Sequence, residues 1–300
     1  MTQPPDPSEP LEPSHPAPIL APLLPILYEV QIANALAEDL GRAGDLTSDA
    51  VLPAGLFAEA LVVSRKPGRI AGLDVALAAF RRLDPGVEIE VLSSDGRDAA
   101  AGDVLARVRG GARAVLAAER TALNFLGHLS GIATVTRDVV ALVAPFGARV
   151  ACTRKTTPGL RALEKYAVRA GGGSNHRFGL DDAVLIKDNH RALAGGVGEA
   201  VERARRAIGH LVKIEVEVET IEQLEEALGA RVDAVLLDNM PLDLLRRAAA
   251  LAKGRAITEA SGGITPETAA AVAATGVDLL SIGWLTHSAP SLDVALDVRI

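Results

Sequence analysis

Cysteine occurs once, at Cys152, so neither an intrachain disulfide framework nor a multi-cysteine metal site is possible. Aromatic residues make up only 3% of the chain, and the core must therefore be aliphatic, built largely from Ala and Val. No run of about 18 uninterrupted apolar residues exists, so no membrane-spanning helix is expected. The first basic residue is Arg42, so the N-terminus lacks the cationic region of a secretory signal, and a cytoplasmic protein is expected. Basic residues are outnumbered 31 to 38, which gives a net charge of −7. A general nucleic-acid binder needs the opposite balance. No two histidines stand at metal-ligand spacing, which argues against a zinc site. What is present is 300 residues, 49% of them hydrophobic, ample for one large or two modest folded units.

Nine of the 17 prolines fall within residues 1–25. Proline removes a backbone donor and keeps its neighbour out of the helical region, so this stretch, His15 included, is expected to be a loose leader. From 26 to 130 the element types are mixed. Tyr28–Leu40 and Leu73–Leu83 read as helices, and Gly44–Asp49 as an acidic loop. Glu59–Ser64, Val87–Val91 and Val104–Val108 read as strands of a small antiparallel sheet. Two helices are expected next, over 113–127 and 132–143. After Pro145, short β-branched runs alternate with helical stretches, beginning with Arg149–Thr153 and ending with Leu279–Ile282. That alternation predicts a parallel sheet, and the absence of a Gly-rich dinucleotide fingerprint favours an incomplete α/β barrel over an open Rossmann sheet. Chemistry is then expected at the C-terminal ends of the strands.

Residues 153–191 carry eight cations against four carboxylates in a chain that is acidic overall. Arg154, Lys155, Arg177 and Lys187 sit at strand ends or in Gly-rich loops, where a planar guanidinium fork and a point charge together suit a dicarboxylate. Arg161, Arg169 and Arg191 read as solvated surface charges. Lys213–Glu219 alternates strictly, with Ile214, Val216 and Val218 on one face and Glu215, Glu217 and Glu219 on the other. In a barrel strand the aliphatic face meets the helices, so these carboxylates should point inward, where they need a cation or a ligand. Asp238 closes the next strand. Such oxygens suit Mg²⁺ held mainly through water and substrate phosphate, or ribose hydroxyls. Ser261-Gly262-Gly263 precedes a helix with Thr265 as N-cap and Pro266 at its first position. With Gly283 after the last strand, it forms the expected phosphate cradle. Cys152, His128 and His210 read as core, packing and surface residues respectively.

The segments Glu119–Asn124, Thr153–Gly159, Gly172–Arg177, Lys187–His190, Glu215–Val218, Leu237–Met240, Glu259–Gly263 and Gly283–Ser288, in this order, resemble quinolinate phosphoribosyltransferase over residues 27–298. The resemblance implies an N-terminal α/β sandwich-like domain (26–130, joined by 288–300) and an incomplete, about seven-stranded α/β barrel (131–287). It implies transfer of phosphoribosyl from 5-phosphoribosyl 1-pyrophosphate (PRPP) to quinolinate, with Mg²⁺, giving nicotinate mononucleotide, pyrophosphate and CO₂ in NAD biosynthesis. Quinolinate would be held by Arg120, Thr153, Arg154, Lys155, His176, Arg177 and Lys187. PRPP would be held by Glu217, Asp238, Ser261, Gly262, Gly263, Gly283, Trp284, Leu285 and His287, with Glu217 and Asp238 also toward Mg²⁺. Catalysis would rest on Lys155, Lys187, Glu217 and Asp238. The family pattern further implies a homodimer in which Arg120 enters the neighbouring active site. Trp284 departs from that pattern, which more commonly has a small residue there. A related phosphoribosyltransferase, acting on nicotinate or linked to molybdenum uptake, is the alternative reading.

Overall fold

The computed structural model describes residues 20–299; the leader as far as residue 19, His15 included, lies outside them. Leu20 and Leu23 pack against the N-terminal hydrophobic core rather than hanging free. That core lies against an antiparallel sheet whose strands run in the order Val294–Arg299, Phe57–Ser64, Val104–Gly111, Glu88–Val91. The chain's last strand thus returns to pair with its first, Ser64 opposite Val294 and Glu59 opposite Arg299. Helices Glu29–Leu40 and Leu73–Leu83 bury their apolar stripes in the same core, which Ile32, Leu36, Leu77 and Phe80 fill.

Two local expectations fail for identifiable reasons. The stretch Gly44–Asp49 is not a loop throughout, because Asp45 caps a helix, Leu46–Val51, by accepting from the amides of Thr47 and Ser48 at 3.1 and 3.0 Å. The two helices expected over 113–143 are one, Ala112–Val143. Gly127 and Gly131 do not break it. They clear a path for the returning C-terminal segment, and a Cβ at Gly127 would stand 2.9 Å from the carbonyl oxygen of Leu292. By length and composition this helix could cross a membrane. Sixteen of its residues are nevertheless buried inside the protein, among them Leu126, Leu129 and Ile132.

Gly68–Arg69 and Asp98–Ala99 pair as a short antiparallel ribbon, and six further strands form one parallel sheet in the order Arg149–Ala151, Leu279–Ser281, Ile257–Ser261, Ala234–Asp238, Ile214–Val218, Val184–Ile186. The first strand in sequence lies beside the last, which is how a sheet begins to close on itself. A seventh element is a single parallel bridge from Ser174 to Ala151, with the Ser174 amide donating to the Val150 carbonyl at 2.7 Å. The barrel is therefore incomplete between this bridge and Val184–Ile186. Its outward residues, such as Val150, Val216, Val218, Val235 and Leu280, meet the surrounding helices in a second aliphatic core. The period-two pattern of Ile214–Val218 is realised as expected: Ile214, Val216 and Val218 are 3%, 0% and 0% exposed in that core. The strand pairings align Glu217, Leu236 and Glu259 across one level of the interior, with Asp238 and Ser261 one level nearer the C-terminal mouth.

Candidate active site

A cavity of about 840 Å³ opens at the C-terminal ends of the parallel strands, a size suited to small-molecule ligands. Thr153, Arg154, Lys155, His176, Arg177, Lys187, Glu217, Asp238, Ser261, Gly262, Gly263, Gly283, Trp284 and His287 all line it. Only Leu285 and Arg120 of the expected set do not. Leu285 is fully buried in the barrel core, a correction with a simple cause. The short helix Trp284–His287 starts directly after Gly283, so Trp284 and His287, three apart, share the cavity face while Leu285 turns inward. Arg120 is exposed on the long helix and lines a separate cavity of about 390 Å³ with Asn124, Gly127 and Ser291–Val294.

One wall is cationic. Arg154 and Arg177 each have an Nε that is buried without a hydrogen-bond partner. Burial, and then the Arg154 charge, press the Arg177 guanidinium below its usual pKa range. Two partly desolvated guanidinium groups with free donors form a receptor for an anion. The Arg177 side chain is oriented by its bond to the Ala183 carbonyl at 3.0 Å. His176 Nε2 lies 3.0 Å from Glu215 Oε2 and 3.5 Å from Glu259 Oε1. Burial works to lower the histidine pKa, but the two carboxylates outweigh it and raise it. Burial, and then the Glu215 charge, push Glu259 well above the usual carboxylate range, to about 7. Lys187 stands at the mouth, its Nζ 3.6 Å from Glu217 Oε2. It opens a helix, Asp188–Ala194, that the sequence pattern did not suggest, and its amide donates to His190 Nδ1.

The opposite wall is made of carboxylates and exposed backbone. Asn239 has φ 51° and its Nδ2 donates to Asp238 Oδ2 at 2.8 Å, which fixes that carboxylate at the strand end. Gly262 and Gly263 have φ 101° and 59°, conformations that side chains rarely adopt, and a Cβ at Gly262 would collide with the Asn239 side chain. The following helix starts at Pro266 with Thr265 as N-cap, as expected. A Cβ at Gly283 would stand 2.9 Å from Lys155 Cδ and 3.5 Å from His287 Nε2, so the glycine keeps this corner open. Trp284, the departure from the family pattern, has a structural role: its Nε1 donates to the Ile264 carbonyl at 2.8 Å and props the glycine loop.

Sequence reasoning turned Glu215 inward without naming it a site residue, and it missed Glu259 beneath the cationic wall. The alternation Ile257–Ser261 puts Glu259 on the same inward face as Ser261, and that was the available signal. His128 and Cys152 do more than pack, since they touch Glu164 and Lys165 respectively. Arg161 and Arg191 are not solvated surface charges. Arg161 donates to Thr156 Oγ1 and the Phe178 carbonyl, and Arg191 is 8% exposed with Glu219 3.8 Å away.

Residues 45–130 and 132–297 match the N-terminal and C-terminal domains of quinolinate phosphoribosyl transferase. The probable nicotinate-nucleotide pyrophosphorylase [carboxylating] of Bacillus subtilis is 48% identical over 263 residues, covering 88% of this chain and 90% of the relative. The nicotinate-nucleotide pyrophosphorylase [carboxylating] of Mycobacterium leprae is 46% identical over 272 residues, covering 89% and 95%. The solved structure of the nicotinate-nucleotide pyrophosphorylase from Francisella tularensis superimposes with a TM-score of 0.90 at 37% identity, covering 93% of this chain and 99% of that one. With both family domains matched in order around a cavity of this composition, the chain belongs to the quinolinate phosphoribosyltransferase family.

Proposed function

We infer that this chain transfers the phosphoribosyl group of PRPP to quinolinate and decarboxylates the product, giving nicotinate mononucleotide, pyrophosphate and CO₂ for NAD biosynthesis. The observation that carries the reading is the division of one cavity into a cationic wall and a wall of carboxylates and glycine backbone. Arg154, His176, Arg177 and Lys187, with Thr153 and Lys155 beside them, match the two adjacent carboxylates of quinolinate. Glu217 and Asp238 match ribose hydroxyls and the positive charge that grows at C1 as pyrophosphate leaves. Ser261, Gly262, Gly263 and Gly283, with Trp284 and His287, surround the place of the 5-phosphate.

In this arrangement the ring nitrogen of quinolinate attacks C1 of the ribose while the C1–O bond to pyrophosphate breaks, and Lys155 faces the departing charge. No covalent enzyme intermediate is required, because orientation and charge suffice. The pyridinium so formed draws electrons from the C2–carboxylate bond. That bond breaks, the electron pair stays on C2, and CO₂ leaves before C2 takes a proton. Glu217 and Asp238 offer only hard oxygen donors toward a cavity built for phosphates, which fits Mg²⁺ held partly by substrate. When bound there, the ion would neutralise pyrophosphate charge.

Arg120 completes the cationic wall from a neighbouring subunit of a two-fold homodimer, in keeping with its exposed place away from its own cavity. Residues 26–130 with 288–300 act as the unit that presents this helix, and 131–287 as the catalytic barrel, in the cytoplasm. The reading is tested by incubating the purified protein with quinolinate, PRPP and Mg²⁺. CO₂ and pyrophosphate should appear in equal amounts and only with all three present.

A further inference from the structure

Three consecutive side chains of the helix Arg161–Ala170 are polar and buried: Glu164 is 0% exposed, Lys165 2% and Tyr166 5%. Burying an ion is costly unless its hydrogen-bonding groups are satisfied, and here each residue is satisfied by a different part of the chain. Glu164 Oε2 accepts from the backbone amide of Thr157 at 3.0 Å, while its Oε1 lies 2.9 Å from Nε2 of His128 on the long helix. Lys165 Nζ donates to the His176 carbonyl at 2.9 Å and to Cys152 Sγ at 3.2 Å. The Tyr166 hydroxyl donates to Asp95 Oδ2 at 2.7 Å, and that carboxylate also accepts from the amides of Gly72 and Leu73 at the start of helix Leu73–Leu83.

The first two of these anchors bracket the segment that carries Thr153, Arg154 and Lys155. Cys152, at its start, is held by Lys165, and Thr157, at its end, by Glu164. Between them the segment makes short local bonds, such as the Lys155 amide to Thr153 Oγ1 at 3.0 Å, accepts one bond at Thr156 Oγ1 from Arg161 Nε, and takes one contact from Thr286 Oγ1 at the Lys155 carbonyl. Lys165 also fixes the backbone of His176, on the second cation-bearing segment. An aliphatic turn would pack this helix without the cost of buried charge. It would not hold the two cationic segments at a set distance from each other.

We propose that Glu164 and Lys165 are positioning residues of the active site, acting through Arg154, Lys155 and His176, with His128 holding Glu164 in place. The proposal rests on the reading that those three residues face the substrates. Effective catalysis tolerates little misplacement of such groups, so loosening the segment should act on substrate binding beyond any effect on folding.

The test compares Glu164→Leu, which removes the acceptor for Thr157, with Glu164→Gln, which keeps one. Kinetic constants for quinolinate and PRPP are measured together with melting temperature and circular dichroism. A folded Glu164→Leu should raise the quinolinate KM at least tenfold, and Glu164→Gln should stay within about threefold of the parent. If Glu164→Leu does not fold, the partly exposed His128 serves instead: His128→Leu should raise that KM about threefold and His128→Gln should restore it. A folded Glu164→Leu with parental KM values, equal losses in the Leu and Gln variants, or a silent His128→Leu would overturn the proposal. Arg154→Ala, run alongside, separates the two readings. If it leaves the quinolinate KM unchanged, the site reading falls and the proposal with it. If it raises that KM while folded Glu164→Leu does not, only the positioning role falls.

Discussion

His176 Nε2 sits 3.0 Å from Glu215 Oε2 at the floor of the cavity, with Glu259 Oε1 only 3.5 Å away. Two carboxylates this close and this buried cannot both be charged at low cost, and the histidine cation is what lets them coexist. The folded-state pKa values of His176 and Glu259 are both raised, that of Glu259 to about 7. A raised pKa contributes stability that is fully present below the unfolded value and is lost as pH rises through the folded one. Glu259 therefore makes the fold lose stability between about pH 4.5 and 7. Glu259→Gln should flatten the fall in melting temperature across this window. An unchanged slope would show that Glu259 does not titrate in this window.

In the proposed arrangement the cavity walls divide the substrates, and single substitutions should reveal it. Arg177→Ala and Lys187→Ala should each raise the quinolinate KM at least tenfold and move the PRPP KM little, since losing one partner of a buried charge contact costs roughly 2–5 kcal/mol. Asp238→Ala should do the reverse. Steady-state kinetics in both substrates check this, and equal effects on the two would contradict the division.

The proposed phosphate cradle makes a sharper stereochemical demand. Gly262 has φ 101° and faces the Asn239 side chain, so Gly262→Ala meets both backbone strain and a clash. The PRPP KM should rise at least tenfold while the melting temperature falls only a few degrees. Parental PRPP affinity would mean that this loop does not hold the 5-phosphate.

Arg120 lies outside the cavity of its own chain, and subunit mixing tests where it acts. Arg120→Ala and Lys187→Ala should each be nearly inactive alone. Co-folded in equal amounts, they should regain on the order of a quarter of the parental activity, because random pairing makes half the dimers mixed, each with one intact site of two. No recovery in verified mixed dimers would place Arg120 elsewhere.

Much of this site was legible in the sequence because barrel strands have a strict period. Once Ile214, Val216 and Val218 are assigned to the helix side, Glu215 and Glu217 must face inward, and they do. The glycines at 262, 263 and 283 were legible for the same reason, as places where backbone must approach a ligand. What the sequence hid depends on contacts between distant segments. Gly127 and Gly131 look like breaks in a helix until the C-terminal strand passes over them. Glu164 looks like one more helical acid until Thr157 and His128 converge on it. Leu285 belonged to the right motif, but a helix that begins one residue earlier turns it into the core.

In the proposed arrangement the cationic wall selects for two carboxylates, and competition between acceptors measures that selection. The ratio of kcat/KM for quinolinate to that for nicotinic acid, at saturating PRPP and Mg²⁺, should exceed roughly 10³. The acceptor lacking the second carboxylate leaves partly buried guanidinium groups unpaired, a penalty of the kind that supports such discrimination. Comparable turnover of the two acids would contradict the account.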